Sequence, residues 1–198
     1  MKQYTTPPQH HSSPDENTTD LLLGRLRADP SVPIFELAQE GGGYRPMRTA
    51  DFVEDVKAVA KGLIASEVAS GDVVAILSRT RYEWALADWA IWWAGGVSVP
   101  IYESSSPSQI QWIASDSAAK FALVESTRHK EDMESVRGEL PALQRIGVME
   151  DGILEDLRQR GAGISDEELE SRRTARRLDD VATIIYTSGT TGRPKGAE

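Results

Sequence analysis

Between Val73 and Met149 short apolar runs alternate with longer segments of mixed polarity, and this alternation restricts the fold more than any other feature of the sequence. The apolar runs are VVAILS at Val73 to Ser78, VSVPI at Val97 to Ile101, FALVE at Phe121 to Glu125 and RIGVM at Arg145 to Met149. Between them stand a tryptophan-rich segment, a segment from Pro107 to Asp116 and a charged segment near Arg128 to Gly138, each predicted to be helical. Strands that are apolar on both faces and separated by helices predict an α/β fold, a mostly parallel sheet with helices on both faces.

The flanking sequence adds smaller elements. Leucines at 21, 22, 23 and 26 predict a short helix from Asp20 to Ala28, which Pro30 stops. Pro33 to Gln39 and Tyr44 to Arg48 flank Gly41, Gly42 and Gly43, an arrangement that predicts strand, turn and strand. Thr49 is expected to cap a longer helix, in which Val53, Val56, Val59, Ala60, Leu63 and Ile64 recur at three and four residue spacing. Helices are also predicted at Ile153 to Arg160 and Glu167 to Arg177, the second opened by Ser165 and Glu168 as a capping box. Arg172, Arg173, Arg176 and Arg177 form a basic cluster, but Glu168 stands four residues before Arg172 and acidic neighbours at 166 to 170 balance it. A solvated helix face is the expected role.

Composition narrows the function classes. The formal net charge of −9 repels phosphate backbones, so nucleic acid is not an expected partner. There is no cysteine, which excludes disulfides, zinc-thiolate sites and thiol catalysis, and fits a cytoplasmic setting. Residues 1–17 are polar and rich in Pro and Ser, with no apolar segment able to serve as a secretory signal, and are expected to form a disordered arm. His10 and His11 read as solvated tail residues, because no further metal ligand stands near them. The stretch from Trp84 to Tyr102 is interrupted by Asp88, Gly95, Gly96 and Pro100, so a helix followed by a buried strand explains it better than a membrane span. All the tryptophans fall between Trp84 and Trp112, and core packing is the expected role of Trp89 and Trp93, one turn apart on a helix. His129 has no nucleophile or carboxylate arranged with it, so a hydrolase triad has no support.

The chemistry is concentrated in one stretch. Val181 to Tyr186, VATIIY, is a β-branched apolar run that predicts a buried strand, and TSGTTGRPKG follows it at once, from Thr187 to Gly196. Gly189, Gly192 and Gly196 permit backbone conformations and close approaches that let amide donors converge on an anion. Thr187, Ser188, Thr190 and Thr191 add hydroxyl donors, Pro194 restricts the chain, and Lys195 supplies a compact positive charge. A flexible linker needs neither the apolar run in front nor the Pro-Lys-Gly behind. A Walker-type loop requires Gly-Lys followed by Ser or Thr, and a dinucleotide fold requires G-x-G-x-x-G; neither string occurs here.

TSGTTGRPKG resembles the phosphate-loop signature of the AMP-forming acyl-CoA synthetase, luciferase and peptide-synthetase adenylation-domain family. The stretch from Gly71 to Glu125, including Gly95 and Val99 to Tyr102, is similar to the first half of that family's large domain. Within it YESSSPSQIQWIASDS, Tyr102 to Ser117, looks most like the long-chain fatty acid CoA ligases, and the resemblance extends over about Asp20 to Glu198. It implies that residues 18–198 are the N-terminal portion of an adenylate-forming domain, ending just after the phosphate loop. The implied reaction has two steps: a carboxylate attacks the α-phosphate of ATP with loss of pyrophosphate, and the acyl group then passes to the thiol of coenzyme A. The implied ligands are a fatty acid, ATP with Mg²⁺, and CoA, with peripheral membrane association left open. The resemblance gives Thr187, Ser188, Gly189, Thr190, Thr191, Gly192, Lys195 and Gly196 the task of binding the ATP phosphates, with Lys195 on the β and γ groups. Arg193 falls at a position the family pattern leaves variable and is expected to be solvated. No catalytic or metal-binding residue is assigned, since the resemblance puts the adenine, ribose, metal and acyl contacts and the C-terminal catalytic lysine past Glu198. The chain alone is therefore expected to be inactive. The alternatives are another adenylate-forming ligase, acting on an amino acid or aryl acid or stopping at acyl-AMP, and a short non-catalytic phosphate-binding protein that kept the loop.

Overall fold

The computed structural model describes residues 13–39, 41–187 and 193–198. Its centre is a parallel sheet of four strands in the order β4-β3-β5-β6: β3 (Val73–Leu77), β4 (Val97–Ile101), β5 (Phe121–Val124) and β6 (Arg145–Val148). Each parallel pair needs a crossover, and the helical segments of the sequence supply it: α3 (Tyr82–Trp93), α4 (Pro107–Asp116) and α5 (Thr127–Glu134). Because successive side chains of a strand point to opposite faces, β3 feeds two cores. Val74 and Ile76, with Phe121 and Leu123 of β5, pack in a first core against α3, α1 (Thr19–Ala28), α2 (Thr49–Ala65) and α6 (Ile153–Arg160). Ala75 and Leu77, with Val99, Ile101, Ala122 and Val124, pack in a second core against α4, Met133 of α5 and Tyr186. The α/β architecture with helices on both faces follows the sequence pattern.

The glycine-rich turn joins β1 (Pro33–Ala38) and β2 (Tyr44–Arg48) as an antiparallel hairpin, as predicted. The apolar residues of α2 foreseen from spacing, Val53 to Ile64, are all buried. Thr49 differs from expectation: it is the first residue of α2, makes no side-chain cap, and donates its hydroxyl to the Val32 carbonyl at 2.8 Å, which ties the helix to the hairpin. The capping box also falls elsewhere. Ser165 accepts only the Glu168 amide, at 3.1 Å, at the start of α7 (Asp166–Thr174), whereas Ser106 and Gln109 form both halves of a box around Pro107 at the start of α4.

Of the basic cluster only Arg177 is exposed as expected; Arg172 and Arg173 lie in α7 and Arg176 just past its end, and these three are buried or half-buried. Arg173 is 6% exposed; it grips Glu170 with two nitrogens at 2.7 and 2.9 Å and reaches Thr19 and Asp20 of α1, each at 2.8 Å. Arg176 donates to the Val181 carbonyl and Arg172 to that of Val68. The planar five-donor guanidinium suits such bidentate, partly buried clamps, which charge counting along a helix does not reveal. Asn17 completes the clamp by donating to the carbonyls of both Arg173 and Arg176, so residues 13–17, assigned to the arm on composition, lie against the end of α7. The rest of that arm, with His10 and His11, lies outside the described residues. No described helix is long and apolar enough to cross a membrane.

Trp93 is buried in the first core, and Trp89 packs against it from a half-buried position, as core packing requires. On the same helix Asp88 is buried, and this pushes its carboxyl up to about 6, with the Ser98 hydroxyl partly opposing the shift. A native carboxyl that holds its proton more tightly than the ordinary 3.8 lowers stability as pH rises through the window from 3.8 to about 6. Asp88→Asn is therefore expected to raise unfolding free energy by about 3 kcal/mol above pH 6 and by progressively less as the pH falls toward about 4. Urea titrations of both proteins at pH 4.5 and 7.5 check this, and an equal shift at the two pH values would refute it.

Candidate functional site

In an open parallel sheet, ligands bind beyond the carboxyl ends of the strands, where neighbouring connections run to opposite sides. Here that place lies between β3, which leads to β4 on one side, and β5, which leads to β6 on the other. The first residues past those strand ends fill the crevice with protein. Glu125, buried, accepts from the Arg79 amide at 2.9 Å and the Ser78 hydroxyl at 3.2 Å, and pairs with the Arg79 guanidinium at 3.0 Å and Arg81 at 3.7 Å. Burial pushes the Glu125 carboxyl up, but the Arg79 amide and charge, Ser78 and Arg81 together outweigh it and hold the group below its ordinary range. Glu125 is thus committed to Ser78, Arg79 and Arg81.

The open space lies one strand over. A cavity of about 140 Å³ is lined by Ser78 and Thr80 beyond β3, by Pro100 to Glu103 at the end of β4, and by Trp84, Ile185 and Tyr186. Its apolar walls, with Tyr102 and Ile185 largely exposed, and a few hydroxyls suit a mainly apolar ligand group better than a charged one. Sequence reasoning passed over these residues. Their position directly after the apolar runs VVAIL and VSVPI was the signal available.

Beside this cavity stands the stem of the glycine-rich loop. The run VATIIY was expected as a buried strand, and the structure corrects this. Val181 to Ile184 are half-buried and join the sheet at the β4 edge only around Ser98, whose amide donates to the Ala182 carbonyl while its carbonyl accepts the Ile184 amide, both at 3.0 Å. The run then becomes β7 (Ile185–Thr187), with Ile185 52% exposed and Tyr186 turned into the second core. β7 pairs antiparallel with β8 (Lys195–Ala197), in a register that sets Thr187 opposite Lys195 and Tyr186 opposite Gly196.

Of the predicted phosphate-binding residues, the structure thus brings Thr187 and Lys195 side by side at the mouth of a hairpin, both exposed. Ser188, Gly189, Thr190, Thr191 and Gly192 lie outside the described residues. Gly196 has a packing reason as well: a Cβ there would stand 2.8 Å from Ile184 and 3.2 Å from the Tyr186 ring. Arg193 is not simply solvated as expected. Its guanidinium lies 4.7 Å from the centroid of the Trp112 ring, a cation–π contact with a helix that the local sequence of the loop does not indicate.

The fold is thus a parallel α/β sheet with a short hairpin beside its β4 edge that carries Thr187 and Lys195 at its mouth. The chain belongs to the AMP-binding enzyme family, whose profile matches residues 30–198. Among individual relatives it is 37% identical to the long-chain-fatty-acid–CoA ligase FadD15 of Mycobacterium bovis and 36% identical to that of Mycobacterium tuberculosis. Both alignments take in 100% of this chain and 33% of the relative, so the chain spans about a third of the length of the curated relatives it matches. The fold is similar to the anthranilate CoA ligase AuaEII in complex with anthranoyl-AMP, with a TM-score of 0.73 at 23% identity over 91% of this chain and 33% of that one. It is also similar to a fatty acyl CoA synthetase of Mycobacterium tuberculosis, with a TM-score of 0.71 at 23% identity over 89% of this chain and 33% of that one.

Proposed function

We propose that the full-length protein is a long-chain fatty acid CoA ligase that activates its acid as an acyl-adenylate, and that the hairpin tip from Thr187 to Gly196 receives the phosphates of ATP. The observation that carries this reading is the similarity, over the whole of this chain and 33% of each relative, to ligases named for that activity. In the proposal Lys195 and the hydroxyls of Thr187, Ser188, Thr190 and Thr191 meet the charge that builds on the departing pyrophosphate, while Gly189, Gly192 and Gly196 allow the chain to come close. The exposure of Thr187 and Lys195 at the hairpin mouth fits this, since groups already spent on internal partners could not serve a ligand. Among the described residues no three His, Asp or Glu side chains cluster as metal ligands, so Mg²⁺ enters the proposal as the companion of the triphosphate. CoA is the proposed acyl acceptor. The proposed location is the cytoplasm, with an apolar acid delivered in solution or from a membrane surface.

The similarity of the fold to an anthranilate ligase leaves aryl acids as the second reading. ATP–pyrophosphate exchange by the full-length protein, measured over saturated fatty acids of increasing length and over aryl and amino acids, tests both. Exchange driven by long-chain acids alone is expected. Exchange driven only by aryl or amino acids would defeat the fatty acid assignment.

A further inference from the structure

The hairpin that carries the glycine-rich loop has two limbs, and one helix holds both. On the ascending limb the Tyr186 hydroxyl donates to Asp116 at 2.7 Å, and the ring beneath it packs in the second core. On the descending limb the Trp112 indole donates its Nε1–H to the Pro194 carbonyl at 2.8 Å, while the same ring faces the Arg193 guanidinium. Trp112 and Asp116 both belong to α4 and are four residues apart, which places them one above the other on a single helical face. Between the two anchored points stand Thr187 and Lys195, paired across the hairpin.

The helix is built to act as a fixed support. Its start is locked by the box of Ser106 and Gln109 around Pro107, and Ile110, Ile113 and Ala114 fasten its inner face to the sheet. The ascending limb has further ties near its base: Trp92 Nε1–H donates to the Ala182 carbonyl at 2.9 Å, and the Ser98 and Thr183 hydroxyls meet at 2.9 Å. The descending limb, by contrast, is exposed throughout β8, and the Trp112 contacts are its tie to a neighbouring helix among the described residues.

We propose that Trp112 is a positioning residue for the phosphate loop: by holding the Pro194 carbonyl and the Arg193 side chain it fixes the backbone from which Lys195 projects. This rests on the reading of Thr187 to Gly196 as the phosphate loop. Trp112 touches no reacting atom. Its effect is to remove, before the nucleotide arrives, freedom that the limb would otherwise lose on binding, and a loop ordered in advance binds more tightly and holds its charge on target. The pattern also gives Arg193 a part, since its guanidinium over the indole ring adds a cation–π contact to the hydrogen bond made by the same side chain.

The test uses Trp112→Phe in the full-length protein, which keeps an aromatic face for Arg193 and removes the N–H donor together with part of the ring. The KM for MgATP in pyrophosphate exchange is expected to rise about fivefold, the scale of one lost hydrogen bond, with the KM for the acid changed less than twofold. Amide hydrogen exchange is expected to quicken in 193–197 while Ile113 and Ala114 of α4 stay protected. Arg193→Gln, at an exposed position, is expected to shift both readings the same way by a smaller factor and serves if Trp112→Phe fails to fold. Unchanged KM for MgATP with unchanged exchange in 193–197, or an equal rise of both KM values with a lowered melting temperature, would overturn the proposal. Lys195→Ala in parallel separates the two readings: if it leaves pyrophosphate exchange at the wild-type rate, the phosphate-loop assignment falls, while quickened amide exchange in Trp112→Phe would still establish the anchor.

Discussion

Replacing Lys195 with alanine is expected to slow adenylation by about 10²-fold while leaving the melting temperature unchanged. The size follows from the charge that must be stabilised: pyrophosphate gains negative charge as it leaves, and losing one preorganised donor to such a group costs about 10²- to 10³-fold in rate. The absence of a stability effect follows from the structure. Lys195 is exposed in β8, where its backbone supplies the pairing with Thr187 and its side chain makes no ion pair among the described residues. Substitutions at such positions usually stay within about 0.5 kcal/mol. ATP–pyrophosphate exchange at saturating acid reads the first effect and a thermal melt the second. Exchange at the wild-type rate would remove Lys195 from the phosphate site; a collapsed melt would show the residue to be structural.

Elements whose physics is local were legible in the sequence. The helix from Pro107 to Asp116 and the strands Val97–Ile101 and Tyr44–Arg48 have the bounds read from spacing and breaker residues, because Pro107, the Gly95–Gly96 pair and the Gly41–Gly43 turn punctuate the chain. What escaped depends on partners far away in sequence. Arg173 looked like a surface charge because its neighbours on α7 are acidic, but Asp20 and Thr19 reach it from the other end of the chain. VATIIY has the composition of a buried strand, yet it meets the sheet through a single parallel bridge at Ser98 and turns Ile185 to solvent. At the site the structure brings together Thr187 and Lys195 of the loop motif, and the phosphate-binding task remains what the resemblance implies. The support from Trp112 and Asp116 was hidden, since their partners Pro194 and Tyr186 stand more than two strands away along the chain. The apolar cavity at the β3 and β4 ends was hidden for the same reason: it is assembled from three separated segments.

Gly62→Ala is expected to destabilise the domain by at least about 3 kcal/mol, against the direction that helix propensity alone gives. Glycine in a helix interior costs about 1 kcal/mol relative to alanine, so the sequence by itself argues for stabilisation. The packing reverses the sign. Gly62 lies on the buried face of α2 where α6 crosses it, and an added Cβ would fall on the Leu157 carbonyl and stand 2.6 Å from the Leu157 Cα. Those are backbone atoms, so no side-chain rotation relieves the overlap; the two helices would have to separate, opening the first core around Leu157, which is 1% exposed. The opposing surface is equally tight, since a Cβ on Gly161 would meet the Gly62 nitrogen at 2.6 Å. Overpacking a core ordinarily costs 1–3 kcal/mol, roughly, and a backbone-to-backbone overlap belongs at the upper end or beyond. Gly24→Ala is the matched control: it too sits inside a helix, α1, but a Cβ there meets nothing within 4 Å, so the same substitution is expected to stabilise by about 0.5–1 kcal/mol. Urea midpoints of the two variants measured side by side should move in opposite directions. A Gly62→Ala protein that unfolds with the wild type would mean that α2 and α6 do not approach as closely as described.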